Sequence, residues 1–370
     1  MSRARGHYAL LVGALAAASL ACTMGVAPRA VLDPTATIAP IDSSPTVAKT
    51  ATDAPSATVA PASQTSAPEP TETTAVTEPT TAATEGPTAS PAPTVYGGGA
   101  GRILYHSGTI TSEQDIYLLT LDPLAAGAAQ GAPVNLTNAP GSDNSARWSP
   151  DGTRIAFISD RDGDSDVYVM DADGRRLFNV TNNTVDEGGP AWSPDGQALV
   201  FSSNRDGNYE LYRMRPDGTG VVRLTNNLAV DLFPAYDATG EQLVFSSNRD
   251  GNFEVYMMAA DGTQVQRLTS EPGTDYYPAF SPDGASVVFA SDRGGNYDIY
   301  RLTLGTAAVE NLTNSEAHDG TPVFSPDGRH LVFASVRDGD YDIYLLDLDT
   351  LAVTRLTDNT AFDASPDWGR

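Results

Sequence analysis

The sequence predicts an all-β fold: a six-bladed β-propeller whose blades are four-stranded antiparallel sheets. A motif repeats every 44 residues after about residue 100, and a fixed period of this size indicates a repeat architecture. Within each repeat, short segments of alternating hydrophobicity are separated by Asp-Gly turns, and no helical pattern interrupts them. Four short strands joined by tight turns are typical of a propeller blade.

The repeat is marked at two places along its length. A Ser-Pro-Asp-Gly turn begins at Ser149, Ser193, Ser281 and Ser325, and a degenerate copy begins at Asp237. A threonine preceded by leucine or valine ends each repeat, at Thr137, Thr181, Thr225, Thr269, Thr313 and Thr357. These markers define the blade boundaries.

Each repeat supplies four strands, as the one that ends at Thr225 illustrates. Its inner strand ends at Trp192, and the following strands are predicted over residues 199–202, 210–214 and 222–225. Asp-Gly pairs supply the residue of positive φ that tight hairpins need. We therefore expect every blade to be a meander that runs outward from an inner strand.

The termini are predicted to meet in the first blade. Six threonine endings but only five complete inner-strand units are present, and the chain enters the propeller at a second strand, residues 102–105. Residues 363–368 align with the inner strand predicted at 319–324. The C-terminal strand should therefore complete the first blade in a velcro closure, which leaves no open sheet edge.

The N-terminal residues predict export, so we divide the chain into a signal peptide (1–22), a linker (23–100) and a propeller (101–370). Arg3 and Arg5 precede an apolar run of about 14 residues, which is too short to span a bilayer and suits a signal-peptide core. The arrangement resembles a bacterial lipoprotein signal, in which Cys22 would be acylated. Ser19-Leu20-Ala21 also fits an ordinary cleavage site, and the alternative is therefore a secreted protein.

Residues 23–100 are rich in Thr, Pro, Ala, Ser and Glu, and this composition predicts a disordered tether. The net charge of −25 argues against nucleic acid or an anionic membrane surface as a partner. The single cysteine excludes an intrachain disulfide and a cysteine-based metal cluster. The acidic excess does permit a cationic partner or a divalent ion.

One acidic residue recurs at the same position before the inner-strand aromatic residue of every blade. These six acids are Asp143, Glu187, Asp231, Asp275, Asp319 and Asp363. Inner strands line the channel of a propeller, so we predict an acidic ring near one channel mouth. Oxygen ligands suit Ca²⁺ or Mg²⁺, and the ring is a candidate Ca²⁺ site. The alternative is that each carboxylate caps backbone N–H groups in its own loop.

Two further sets of residues carry predictions. The hairpin arginines Arg161, Arg205, Arg249, Arg293 and Arg337 are expected to pair with the third-strand acids Asp166, Glu210, Glu254, Asp298 and Asp342. The aromatic residues Phe233, Tyr276 and Tyr277 lie beside the acidic positions but do not repeat in other blades. Because specificity is expected where a repeat is irregular, we predict that these three contact a ligand.

Catalysis finds little support in the sequence. The propeller region contains three histidines, His106, His318 and His330, at three different repeat positions, and no Gly-x-Ser-x-Gly motif. Carboxylates of the acidic ring could act as a pair in glycoside hydrolysis. The alternative to a non-catalytic binding function is therefore an enzyme that acts on polysaccharide through carboxylates at the channel mouth.

The repeat resembles that of TolB-type β-propellers throughout residues 101–370. The matching pattern is Pro-x-Trp/Phe-Ser-Pro-Asp-Gly, then Phe-x-Ser-Asp/Asn-Arg-Asp-Gly-Asn-x-Asp-Ile-Tyr, then Leu-Thr. The resemblance implies an exported envelope protein whose propeller is a docking platform, although similar repeats also accompany peptidases and some polysaccharide lyases. We therefore expect a monomeric, non-catalytic extracytoplasmic protein that binds a protein or peptide and reaches the membrane through a lipid anchor at Cys22.

Overall fold

The fold is a six-bladed β-propeller, as predicted. A computed structural model describes residues 101–109, 113–121 and 131–369, which form six four-stranded antiparallel sheets. The signal peptide, Cys22 and the linker lie outside the described residues. Within the ranges described, no helix is long and apolar enough to cross a membrane.

The strands follow the repeat in chain order, and the first three blades contain the first eleven of them. Blade 1 contains β1 (Arg102–Gly108), β2 (Gln114–Thr120) and β3 (Val134–Asn135). Blade 2 contains β4 (Asp143–Trp148), β5 (Arg154–Ser159), β6 (Asp166–Asp171) and β7 (Phe178–Asn179). Blade 3 contains β8 (Glu187–Trp192), β9 (Leu199–Ser203), β10 (Glu210–Met214) and β11 (Val222–Arg223).

The remaining strands complete the ring. Blade 4 contains β12 (Asp231–Tyr236), β13 (Gln242–Ser247), β14 (Glu254–Ala259) and β15 (Gln266–Arg267). Blade 5 contains β16 (Asp275–Phe280), β17 (Ser286–Ser291), β18 (Asp298–Thr303) and β19 (Ala308–Asn311). Blade 6 contains β20 (Asp319–Phe324), β21 (His330–Ser335), β22 (Asp342–Asp347) and β23 (Val353–Arg355). The last strand is β24 (Ala364–Trp368).

The predicted velcro closure is confirmed. Strand β24 pairs antiparallel with β1, so that Ile103 lies opposite Trp368 and Leu104 lies opposite Asp367. The order of strands in blade 1 is therefore β24-β1-β2-β3. The two ends of the propeller are held together by one shared sheet.

The core lies between blades and is built mainly from the second and third strands, together with the aromatic residues that end the inner strands. In blade 4, Phe245 and Tyr256 are opposite each other in the sheet, are both buried, and stack with ring centroids 5.8 Å apart. The outer strands are only two to four residues long. Such short outer strands limit edge-to-edge pairing with other chains.

Candidate functional site

The inner strand of every blade contains a β-bulge. In β12, Leu232 lies opposite Ser246 and Ala235 lies opposite Val244, so two residues of the inner strand are left without partners. The other five inner strands show a register shift in the same region. Proline occupies the second of the unpaired positions in all blades but blade 2, and it fits because it has no N–H to donate.

The first unpaired residue of the bulge has a positive φ in every blade. These residues, which we call the channel ring, are Ser145 (54°), Gly189 (53°), Phe233 (54°), Tyr277 (54°), Thr321 (52°) and Ser365 (49°). Only one of them is glycine, and bulky or β-branched residues in this region are strained by about 1–3 kcal/mol each. The sheet on either side enforces the conformation, so these side chains have a fixed direction.

The channel ring faces a cavity of about 670 Å³. All six residues of the ring are half-exposed, whereas the acids two residues earlier are buried. The last residue of each inner strand is aromatic and also lines the cavity, at Trp148, Trp192, Tyr236, Phe280, Phe324 and Trp368. Every blade contributes to this cavity, which is therefore the central channel of the propeller.

Phe233 and Tyr277 form the large aromatic contact of the channel ring. Their ring centroids are 4.1 Å apart and their planes are inclined by 40°. Tyr276 is buried behind them and packs against Phe253 at 4.7 Å. The structure therefore brings together all three residues predicted to contact a ligand, and two of them line the channel.

A second, smaller cavity of about 60 Å³ lies beside Tyr276 and Tyr277. Its wall includes Tyr297, His318 and Tyr341. Burial raises the pKa of Tyr297 and of Tyr341 to about 12, so both phenols stay protonated at neutral pH. Because Tyr277 lines both cavities, the small cavity is next to the channel.

The predicted pairing of the hairpin arginines is wrong. Each arginine contacts the first residue of the inner strand in its own blade, across the second strand. The distances are 2.8 Å for Arg161 to Asp143, 3.0 Å for Arg205 to Glu187, 3.0 Å for Arg249 to Asp231, 2.8 Å for Arg293 to Asp275 and 2.9 Å for Arg337 to Asp319. The hairpin turn directs the guanidinium inward, where its Nε donates to the serine that ends the second strand.

The third-strand acids are held by residues of the fourth strand instead. Glu210 pairs with Arg223 at 2.9 Å, and Glu254 pairs with Arg267 at 2.7 Å. In blade 2, Asn179 donates to Asp166 at 2.8 Å in the equivalent place. The third-strand acids therefore fix the outer edge of the blade, and the hairpin arginines fix its inner edge.

The six acids of the predicted ring are each at most 1% exposed. Burial raises the pKa of Glu187 to about 7, although hydrogen bonds from Ser203 and Asn183 and the charge of Arg205 oppose this effect. Burial also raises the pKa of Asp275 and Asp319, against the charge of their arginines. Among the described residues, no group of three or more His, Cys, Asp or Glu side chains is arranged to hold a metal ion.

Ca²⁺ binding by the six acids stays a prediction. The ion pairs described above argue against it. Because arginines already neutralise five of the six carboxylates, we expect no change in melting temperature when Ca²⁺ replaces a chelator. A site at a hundredfold excess of Ca²⁺ over its Kd would add about 2.7 kcal/mol, or roughly 5–10 °C for a domain of this size. Such a rise, lost in D231N and D363N, would show that the acids bind the ion.

The histidines of the described region do not converge on one site. His106 is buried beneath the seam of blade 1, and this burial lowers its pKa to about 3. His318 lies in the small cavity, and Nε2 of His330 lies 3.6 Å from Asp347. The inner-strand acids needed for the polysaccharide-acting alternative are buried, and five of them are bound by arginine. That alternative gains no support from these positions.

The sequence did not single out the other members of the channel ring. Ser145, Gly189, Thr321 and Ser365 are small or polar, and none of them stands out individually. A usable signal was present: all six lie two residues after the inner-strand acid, and five directly precede proline. Their variable chemistry at a fixed, strained position distinguishes them from the repeated core residues.

Comparisons with known proteins agree with this geometry. The sequence profile of the TolB beta propeller domain matches residues 114–231 and again 225–318, together more than half of the chain. A comparison with curated protein sequences gave no significant match.

Solved structures share the fold. TolB from Acinetobacter baumannii superposes with a TM-score of 0.63 at 24% identity, over 72% of this chain and 66% of that one. A putative TolB from Agrobacterium tumefaciens gives 0.59 at 23% identity, over 73% and 95%. The hydrazine synthase of Kuenenia stuttgartiensis gives 0.59 at 16% identity, over 74% and 47%. Because the profile matches more than half of its residues, the chain belongs to the TolB beta propeller domain family.

Proposed function

We propose that this protein is a non-catalytic extracytoplasmic binding protein that takes a protein or peptide segment into the channel of its propeller. The observation that carries the proposal is the contact of Phe233 and Tyr277 on the channel ring. These are large aromatic residues at positions where other blades carry serine, glycine or threonine. A protein that needed the ring only for packing would have no use for them at a strained, half-exposed site.

The channel suits a peptide in size and in rigidity. Its volume of about 670 Å³ lies within the usual range of about 300–1,000 Å³ for ligand sites. The bulges hold the backbone of the ring residues in one conformation, so little backbone entropy is lost at these positions when a ligand binds. The net charge of −25 favours a partner segment that carries positive charge.

Export and acylation of Cys22 complete the proposal. The signal-like residues 1–22 and the proline-rich residues 23–100 support a propeller tethered at a membrane. In a bacterial host, a fatty-acid probe should label the full chain and should not label C22S. Release of unlabelled protein into the medium would support secretion instead.

The binding proposal is tested by selecting a phage-displayed peptide library on the full chain. We expect wild type to enrich a related set of peptides, because the channel presents one rigid surface. The double variant F233A/Y277A should bind those peptides at least about tenfold more weakly, since aromatic anchors contribute about 2 kcal/mol or more at such sites. Binding is measured by calorimetry on the folded proteins.

The matched control is F178A, because Phe178 is an aromatic residue on the outer strand β7 and is 61% exposed. F178A should bind the selected peptides as tightly as wild type. Failure to enrich any peptide, or equal binding by F233A/Y277A, would contradict the proposal.

A further inference from the structure

Blade 1 lacks the arginine that neutralises the inner-strand acid in the other five blades. At the end of its second strand the chain reads Ser107-Gly108-Thr109, where the other blades read Ser-x-Arg. Asp363 is nevertheless 0% exposed, and the described residues provide no ion pair for it. Asn359 donates to Oδ2 at 2.7 Å, and the hydroxyls of Ser107 and Thr357 also interact with the carboxyl group, but no cation among the described residues balances it.

The other five blades show how the arginine is bound beside the inner-strand acid. In blade 5, Nη2 of Arg293 lies 2.8 Å from Asp275 and Nε lies 2.9 Å from Ser291. The guanidinium lies 5.2 Å from the ring of Phe289 and 5.0 Å from that of Tyr300. Across the five blades, the distances from guanidinium to ring are 4.7–5.8 Å. A carboxylate, a hydroxyl and two aromatic rings thus form one guanidinium cage per blade.

Blade 1 keeps every wall of this cage. Asp363 supplies the carboxylate and Ser107 the hydroxyl, and Ser107 is close enough to Asp363 to lower its pKa, against the larger effect of burial. Tyr105 and Tyr117 lie opposite each other in the sheet, as Phe289 and Tyr300 do. Their ring centroids are 5.7 Å apart, close to the 6.0 Å found in blade 5.

We propose that the blade 1 cage is a binding site for an arginine side chain of the partner. This inference rests on the proposed function and names the chemistry of the segment that binds. A buried carboxylate without a cationic partner is costly, and an incoming guanidinium would supply the charge that the arginines supply in the other five blades. Arginine is favoured over lysine because its planar group can stack on the tyrosines while it binds the carboxylate and hydroxyl.

The cage lies next to the small cavity, which adjoins the channel. Phe362 and Ala364, the chain neighbours of Asp363, line the small cavity together with Tyr277. Tyr277 also lines the channel. A peptide that contacts the aromatic residues of the ring could therefore place an arginine toward blade 1.

The test uses N-acetyl-arginine amide as the probe and the full chain as the receptor. We expect saturable binding by calorimetry and a rise in melting temperature with wild type. D363N, which keeps the shape of the side chain but removes its charge, should lose at least about tenfold in affinity. N-acetyl-lysine amide should bind wild type more weakly than the arginine probe.

R161A is the matched control, because it opens the equivalent cage of blade 2, formed by Asp143, Ser159, Phe157 and Tyr168. The arginine probe should restore part of its lost melting temperature; R205A serves in its place if R161A does not fold. Absence of binding to wild type, or binding that D363N retains, overturns the inference.

Failure of the cage and failure of the proposed function give different results. If peptides bind through Phe233 and Tyr277 but the arginine probe does not bind, the proposed channel function is supported and the arginine site in blade 1 is contradicted. If the arginine probe binds but no peptide is selected, the arginine site in blade 1 is supported and the proposed channel function is contradicted.

Discussion

Replacing Arg337 with alanine is expected to lower the free energy of unfolding by about 3–5 kcal/mol at pH 7. The side chain of Asp319 is 0% exposed, and its two oxygens accept hydrogen bonds of 2.9 Å from the guanidinium. Without Arg337, a charged carboxylate remains in the interior with nothing to balance it. Chemical denaturation followed by circular dichroism measures the loss.

The pH dependence of this loss identifies its cause. Burial already raises the pKa of Asp319, and removing Arg337 takes away an opposing charge. A carboxyl whose folded pKa exceeds its unfolded value binds its proton more tightly when folded, so acid favours the folded state. The deficit of R337A relative to wild type should therefore shrink as the pH falls through the pKa of the folded carboxyl toward its lower value in the unfolded chain.

The control is R301A, which removes an ion pair of similar length at the surface. Arg301 lies 2.8 Å from Glu310, and both side chains are about a third or more exposed. Exposed pairs contribute at most about 1 kcal/mol. Equal losses in R301A and R337A would show that the inner-strand pairs are ordinary surface contacts.

Deleting residues 364–370 is expected to cost more than about 5 kcal/mol and to abolish cooperative unfolding. The deletion removes β24 and with it Trp368, whose loss alone should cost about 3–5 kcal/mol. It also uncovers the edge of β1, where Ile103, Leu104 and Tyr105 are buried in the intact protein. An uncovered apolar edge pairs readily with other chains.

Calorimetry and size-exclusion chromatography measure this outcome. We expect a broad transition, or none, and association into large species at micromolar concentration. F178A, which truncates an exposed side chain of an outer strand, should unfold like wild type. A sharp transition of the deleted chain near the wild-type melting temperature would mean that β24 is not needed for the stability of the closed propeller.

The architecture was predictable because the information for it is repeated. Six copies of one strand and turn pattern reinforce one another, and the unequal numbers of repeat endings and inner strands require that the termini meet. Residues 363–368 could be assigned to blade 1 in this way before any contact was known. The prediction is confirmed by the pairing of β24 with β1.

The partners of the charged residues were less predictable. Periodicity places Arg161 and Asp143 at fixed positions in each repeat, but it does not state which acid an arginine will reach. The nearer choice in sequence was Asp166, which is five residues away. The hairpin turn and the sheet register bring Arg161 to Asp143 instead, eighteen residues away.

The candidate site was predictable only in part. Phe233 and Tyr277 were found because they interrupt the repeat, whereas the shared positive φ of the channel ring needs backbone coordinates. The cage proposed in blade 1 required both kinds of information. The missing arginine is visible in the sequence, but the burial of Asp363 without a cationic partner is visible only in the fold.

The most direct measurement places a photo-reactive benzophenone amino acid at position 277 of the full chain, in the presence of a selected peptide. We expect light to cross-link the peptide at position 277, because the ring residue Tyr277 faces the channel. The same amino acid at position 178, on the outer strand, should give no adduct. Cross-linking at 178, or at neither position despite measurable binding, would contradict binding within the channel.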